Sequence, residues 1–247
     1  MVRRRLLAAL CGMVAGMALL SACGGGQRTA TPVGDRLAAT KIAGEGCAPS
    51  ADPLASVLPA LVRITTPPDA SGAYAAGTGI IIDAGWVLTN QHVVAMAGSA
   101  PVSLTYLGDH HVAAGRVVAA DADLDLALIA SDTGDLPSIV WGDEGKLQPG
   151  ALLFAVGYAG GTFQPQGLAG HFVGTQVDRA TGQAYIVSDV QLQHGDSGGP
   201  LLNRCGQVVG INTAREPGVD RGVYAGLSIP AYRVRDWAIR KRQSLAQ

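Results

Sequence analysis

Ser197 sits in the stretch Gln191-Leu-Gln-His-Gly-Asp-Ser-Gly-Gly-Pro-Leu-Leu202, between Asp196 and the pair Gly198-Gly199, with His194 three residues upstream. A serine hydroxyl becomes a nucleophile when a histidine takes its proton and a third group orients that histidine. The turn itself suits such chemistry. Its glycines allow the N–H groups of Gly195 and Ser197 to converge beside the Ser197 hydroxyl, and paired donors of this kind stabilise the charge that develops in acyl transfer. A side chain at Gly195 would crowd an approaching carbonyl, and glycine also accepts unusual backbone angles. A Gly-Asp-Ser-Gly-Gly match alone also fits an ordinary turn, so a base and an orienting acid must be found elsewhere.

Two residues answer that need. His92 follows the apolar run "GWVLT" and then Asn90-Gln91, where a strand end would give it a rigid mount. Asp125 opens the apolar run "LALIA" and is expected to be buried beside the histidine. Asp121 and Asp123 are its rivals, since all three occupy alternate positions and could share one strand face. The chain order His92, Asp125, Ser197 is one of three orders known for such triads, and it differs from those of the subtilisins and α/β-hydrolases. His194 lies inside the turn that would bind the oxyanion, which disfavours it as the base. No sequence pattern surrounds His110, His111 or His171, which read as surface residues.

These side chains need a scaffold. From about Pro53, short β-branched runs alternate with turn residues, among them "LVRITT", "VSLTYL", "AYIVSDV" and "QVVGINT". About a dozen strands at close spacing predict an all-β fold of barrels or a sandwich. Glycine at 34 residues and charged side chains at only 15% agree with many turns. The exception is the tail. Pro230 precedes "AYRVRDWAIRKRQ", in which Val234, Trp237 and Ala238 share a face and basic residues crowd the last turn. A helix over 230–243 is expected, packing Trp237 onto the second half of the fold.

The N-terminus reads as a targeting segment. Arg3, Arg4 and Arg5 precede an apolar core from Leu6 to Leu20, too short for a membrane span of about 20 apolar residues. The ending Leu20-Ser21-Ala22-Cys23 resembles a bacterial lipobox, with residues 1–22 as the lipoprotein signal peptide and Cys23 lipidated; an ordinary signal peptide with a chance cysteine is the alternative. Residues 23–52, rich in Gly, Ala, Thr and Pro, read as a flexible tether. Cys47 and Cys205 then remain as a pair in an oxidising compartment, where a disulfide is expected over two free thiols. The net charge of −1 gives no nucleic-acid footprint. No CxxC or HxxxH pattern suggests a metal, and no cofactor is expected.

The motifs together resemble the protease domain of the HtrA/Deg-type, trypsin-like serine proteases. "GTGIIID…VLTNQHVV" is similar to the family's histidine motif, "DLALI" to its aspartate motif, and "PGALLFAVGYAGG" to the start of its second barrel. "SDVQLQHGDSGGPLLNRCGQVVGINTA" is similar to its serine motif, and "GLSIPAYRV" to its closing segment. The resemblance implies a domain over 53–247 built as two six-stranded antiparallel β-barrels, at about 55–140 and 141–230, with the site between them. It implies Ser197 as nucleophile, His92 as base, Asp125 as orienter and the Gly195 and Ser197 N–H groups as oxyanion hole. The implied protein is a serine endopeptidase acting on protein or peptide substrates, lipid-anchored in the bacterial cell envelope outside the cytoplasm.

The chain also departs from that family. Asp196 stands where Asn is usual, and an internal partner, such as an arginine, is expected to neutralise it. No PDZ domain is expected to follow, which makes a monomer the default. Gln191 stands six residues before the serine, where cleavage after Arg or Lys calls for Asp. Gln191, Leu192, Gln193, His194 and the strand Ile211-Asn212-Thr213 are expected to line the substrate pocket, which would favour a small or medium uncharged residue before the scissile bond. A function of another class, a catalytically weak binding or chaperone-like protein on the same fold, stays open.

Overall fold

Successive side chains of a strand point to opposite faces, and Leu152–Gly157 shows what this chain does with both. Leu153 and Ala155 fill one apolar cluster with Ile186, Leu201 and Val209, while Phe154 and Val156 join a second with Ile211, Ile229 and residues of the first barrel. Strands apolar on both faces are buried on both faces. A computed structural model of the protein describes residues 48–107, 111–217 and 224–245.

The described strands form two closed antiparallel barrels. The first takes β1 Leu61–Thr65, β2 Ala76–Asp83, β3 Trp86–Thr89, β4 Val102–Tyr106, β5 Val112–Asp121 and β6 Leu126–Ala130, in the order β1-β2-β3-β6-β5-β4. The second takes β7 Leu152–Gly157, β8 Gln166–Val177, β9 Ala184–Ser188, β10 Pro200–Asn203, β11 Val208–Pro217 and β12 Tyr224–Pro230, in the order β10-β11-β12-β9-β8-β7. Closure leaves no unpaired edge. Register shifts at Ile81/Asp83 and Val117/Ala119 in the first barrel, and at Phe172/Gly174, Leu201/Leu202 and Asn212/Ala214 in the second, mark the irregularities that bend strands around a small barrel. The all-β class, the two six-stranded barrels and the C-terminal helix are those expected from the sequence.

Two expectations are corrected. The C-terminal helix α2, Ala231–Leu245, buries Ala231, Val234, Trp237 and Ala238. It packs along β11 and β12, yet Trp237 does not belong to the second barrel alone. Its indole N–H donates to Asp121 of the first barrel at 3.1 Å, and Arg242 pairs with Asp83 at 2.8 Å while lying 5.3 Å from the centre of the Trp86 ring. The helix therefore straps both barrels. The tether also ends earlier than residue 52. Ser50 N–H donates to Arg204 O, the Ser56 hydroxyl donates to Gly206 O, and Leu54 is 1% exposed. A leucine with a buried site available leaves solvent, and it takes its neighbours with it.

Candidate active site

His92 is not on a strand end. β3 stops at Thr89, and after Asn90 the chain makes a single helical turn, α1 Gln91–Val94, anchored by the buried Val93 and Val94. That turn holds the imidazole over the crevice. Asp125 lies in the turn before β6 with φ of 52°, the one positive φ outside glycine among the described residues. Asp tolerates this region better than most side chains, but it persists only where surroundings fix it. Here they do. The Asp125 carboxylate accepts from His92 N–H at 3.0 Å and pairs with His92 Nδ1 at 2.9 Å, and its backbone carbonyl accepts from the Asn90 amide at 2.9 Å. The Thr213 hydroxyl adds a further short bond to the same carboxylate.

Asp121 and Asp123 are not alternatives to it. Asp121 ends β5 and accepts from Leu124 N–H and the Trp237 indole, while Asp123 is exposed in the turn. The alternation expected for the three acids fails because the strand breaks between them.

Ser197 is held from both barrels. Its carbonyl accepts from Thr78 N–H of β2 at 2.9 Å, and the next N–H, of Gly198, donates to Asn212 O at 2.9 Å. The Ser197 hydroxyl donates to Thr213 O at 3.4 Å, a long bond that leaves it free to turn. Gly195 has φ of 100°, and a Cβ there would come within 2.2 Å of Tyr158 O, so only glycine fits. His194 O accepts from Gly160 N–H at 2.7 Å and so points away from the crevice. Among the described residues neither Gly195 N–H nor Ser197 N–H donates to a protein acceptor.

Asp196 contradicts the expected arginine partner. It is 1% exposed, one carboxylate oxygen accepts Gln193 N–H at 2.8 Å, and the other has no hydrogen-bond partner. Burial pushes its pKa up to about 6 against the single backbone bond that lowers it. Among the described residues the carboxyl thus has one backbone donor and no cation beside it.

A cleft of about 240 Å³ is lined by His92, Ser197, Leu192, Gln193, His194, Thr213 and Ala214. It brings together four of the residues expected at the pocket, Leu192, Gln193, His194 and Thr213, and adds Ala214. Gln191, Ile211 and Asn212 do not line it. Gln191 is exposed, and its amide donates to Asp189 O; Asn212 is fully buried, where it donates to Pro200 O and accepts the Ser228 hydroxyl. Asn212 holds the serine turn from behind. His171, with no motif around it, is exposed but paired with Asp189 at 3.3 Å, and His111 stacks on Tyr106.

Sequence reasoning missed the threonines. The Thr78 hydroxyl donates to Gly195 O at 2.6 Å and accepts from Tyr158 N–H at 3.0 Å, and the Thr89 hydroxyl donates to Thr78 O at 2.7 Å. Both are fully buried. Their only signal is a polar side chain inside an apolar strand, which in a barrel needs a partner.

Cys205 is disulfide-bonded. Its expected partner Cys47, the lipidation candidate Cys23, the signal segment and His110 lie outside the described residues. No group of three or more metal-binding side chains occurs among the described residues, and none of their helices is long and apolar enough to cross a membrane.

Paired barrels with a histidine–carboxylate couple and a serine facing one crevice define the chymotrypsin-like fold class. The trypsin-like peptidase domain model matches residues 77–211, more than half of the chain, and the chain belongs to that family. It is similar to proteins named probable periplasmic serine endoprotease DegP-like. That of Marinomonas sp. is 36% identical over 156 residues, 60% of this chain and 31% of the relative. That of Chlamydia trachomatis is 37% identical over 164 residues, 63% of this chain and 31% of the relative. The chain thus spans about a third of the length of these relatives. Among solved structures, the HtrA-type protease AlgW with tripeptide superimposes with a TM-score of 0.66 at 25% identity, covering 74% of this chain and 60% of AlgW.

Proposed function

We propose that the protein is a serine endopeptidase of the HtrA/DegP type, cleaving peptide bonds through an acyl-enzyme. The observation that carries this reading is His92, paired with Asp125 at 2.9 Å, lining one cleft with Ser197. In this scheme His92 takes the Ser197 proton as the hydroxyl attacks the scissile carbonyl, and returns it to the leaving amine. Asp125 fixes the imidazole tautomer with Nδ1 protonated and stabilises the imidazolium. Gly195 N–H and Ser197 N–H receive the oxyanion. His194 sits at the cleft rim, where it meets substrate and not the serine proton. Leu192 and Ala214 favour a small or medium uncharged side chain before the scissile bond.

The same reading covers the finer properties. Cys23 carries the lipid, the domain works outside the cytoplasm as a monomer, and Cys47 pairs with Cys205, clamping the chain ahead of Ser50 to the turn after β10. The domain takes in the chain from about Ser50, which bonds Arg204 O, and no cofactor, metal or nucleic acid takes part.

One observation favours a second reading. The Ser197 hydroxyl bonds Thr213 O rather than His92, as a weakly active, binding or chaperone-like protein would allow. Ligand-free sites often hold such bonds loosely and tighten them only on substrate, so the peptidase reading stands first. Labelling with a fluorophosphonate decides between them. The expected result is labelling of the wild type and of His194→Ala, lost in Ser197→Ala and His92→Ala. No labelling of the wild type sinks the peptidase reading. Loss with His194→Ala but not His92→Ala reverses the choice of base.

A further inference from the structure

We infer that Arg63 is a positioning residue for the oxyanion-binding peptide, an inference that rests on the peptidase reading. Arg63 lies in β1, outside every motif of the sequence, and is 8% exposed. No carboxylate pairs with it among the described residues, and its Nε is buried without a partner. A cation buried without an anion is costly. Its contacts go instead to one loop: Nη2 donates to Gly161 O at 3.2 Å, and the guanidinium lies 4.6 Å from the centre of the Phe163 ring.

That loop needs an outside hold. It is a single 3-10 turn, Ala159–Gly161, after β7, with φ of 66° at Gly160 and 72° at Gly161. A Cβ at either glycine would meet nothing within 4 Å, so neither position has a side chain, or room taken by neighbours, that restricts its backbone angles. Yet the loop sets the site. Gly160 N–H holds His194 O at 2.7 Å, which orients the His194–Gly195 peptide, and Tyr158 O backs directly onto Gly195. The contacts run from Arg63 to Gly161, from Gly160 to His194, and so to Gly195 N–H. Release of the loop lets the His194–Gly195 peptide turn and takes one oxyanion donor out of the crevice, while the walls of the cleft remain.

The test uses the whole protein with Arg63→Met, Arg63→Lys and Phe163→Leu. Loss of one oxyanion donor costs about 100- to 1,000-fold in kcat, so partial misplacement in Arg63→Met is expected to cost about tenfold or more, with KM within about twofold. Arg63→Lys keeps the charge and one donor to Gly161 O and is expected within about threefold of wild type, with Phe163→Leu between the two. Combined with Ser197→Ala, Arg63→Met should bind an uncleaved peptide as tightly as Ser197→Ala alone. Wild-type kcat in Arg63→Met, or peptide binding lost in the double variant, overturns the inference and leaves the peptidase reading intact. If Arg63→Met does not fold, the order of kcat among wild type, Arg63→Lys and Phe163→Leu decides, and no loss in Phe163→Leu overturns it. A wild type that neither labels with fluorophosphonate nor cleaves sinks both.

Discussion

Thr213 and Asp125, from different barrels, are joined by a short bond from the threonine hydroxyl to the carboxylate that holds His92. The barrels thus meet at the orienting acid as well as at the serine. The Asp125 carboxylate accepts from one backbone N–H, one imidazole and one hydroxyl. With that many donors the orientation of the carboxylate is fixed.

Thr213→Val keeps shape and removes that donor. A hydrogen bond to a charged group is worth about 1.5–3 kcal/mol, and the cleft side of Asp125 admits water as a partial substitute. The expected result is a fall in kcat of roughly tenfold with the cleavage preference unchanged, and Thr213→Ser close to wild type. Steady-state kinetics on one peptide substrate checks it; equal kcat in Thr213→Val removes the hydroxyl from the account.

Asp196 gives a pH dependence with a definite sign. Its folded pKa, pushed up to about 6 by burial, lies above the ordinary value of 3.8. The native state therefore holds the proton more tightly, and stability from this group is fully present below about pH 4 and lost as pH rises through about 6. Asp196→Asn removes the charge that is costly at neutral pH and keeps an acceptor for Gln193 N–H. The rise from 3.8 to about 6 corresponds to on the order of 3 kcal/mol. Denaturant melts at pH 8 should show Asn more stable by about that amount, with the gap closing near pH 4.5. A gap of the same size at both values would place its origin elsewhere than ionisation.

The fold is legible in the sequence because barrel strands carry their period in each run: Leu152–Gly157 and Leu201–Leu202 are apolar at positions that face both clusters. The spacing around His92, Asp125 and Ser197 is legible too, since glycines and apolar runs bracket each. What stays hidden depends on partners far along the chain. Thr78 and Thr213 look like ordinary β-formers until the other barrel supplies their bonds, and Thr89 until Thr78 O does. The local pattern places Asp121 beside Asp125, while its partner Trp237 is in the last helix. Gln191 and Asn212 follow from motif position, but the bond of Gln191 to Asp189 O and the bulge of β11 at Asn212 are shown by no local pattern.

Gly195→Ala tests the site backbone. The methyl group would fall 2.2 Å from Tyr158 O, and φ of 100° is strained for any L side chain. Both costs are relieved if the His194–Gly195 peptide turns, which removes the Gly195 N–H from the crevice. Activity is expected to fall by about 100-fold or more, while binding of an uncleaved peptide by the Ser197→Ala double variant persists. Activity within a few fold of wild type would show that the N–H is not used.

Trp237→Phe probes the strap between barrels. Phenylalanine keeps most of the packing of a side chain that is 2% exposed, and loses the N–H that satisfies Asp121 Oδ2. A carboxylate oxygen left without its donor costs about 1–3 kcal/mol, reduced here because Asp121 keeps Leu124 N–H and some access to water. The expected result is a loss of about 1–2 kcal/mol, a fall in Tm of several degrees, and unchanged kcat well below the melt, because the strap holds the back of the interface and not the crevice. Asp121→Asn, which retains an acceptor for the indole, should lose less than Trp237→Phe. The two changes combined should cost less than their sum, since they remove parts of the same bond. Full additivity in that cycle would mean that the indole and the carboxylate act independently, and the strap would then rest on packing and the Arg242–Asp83 pair alone.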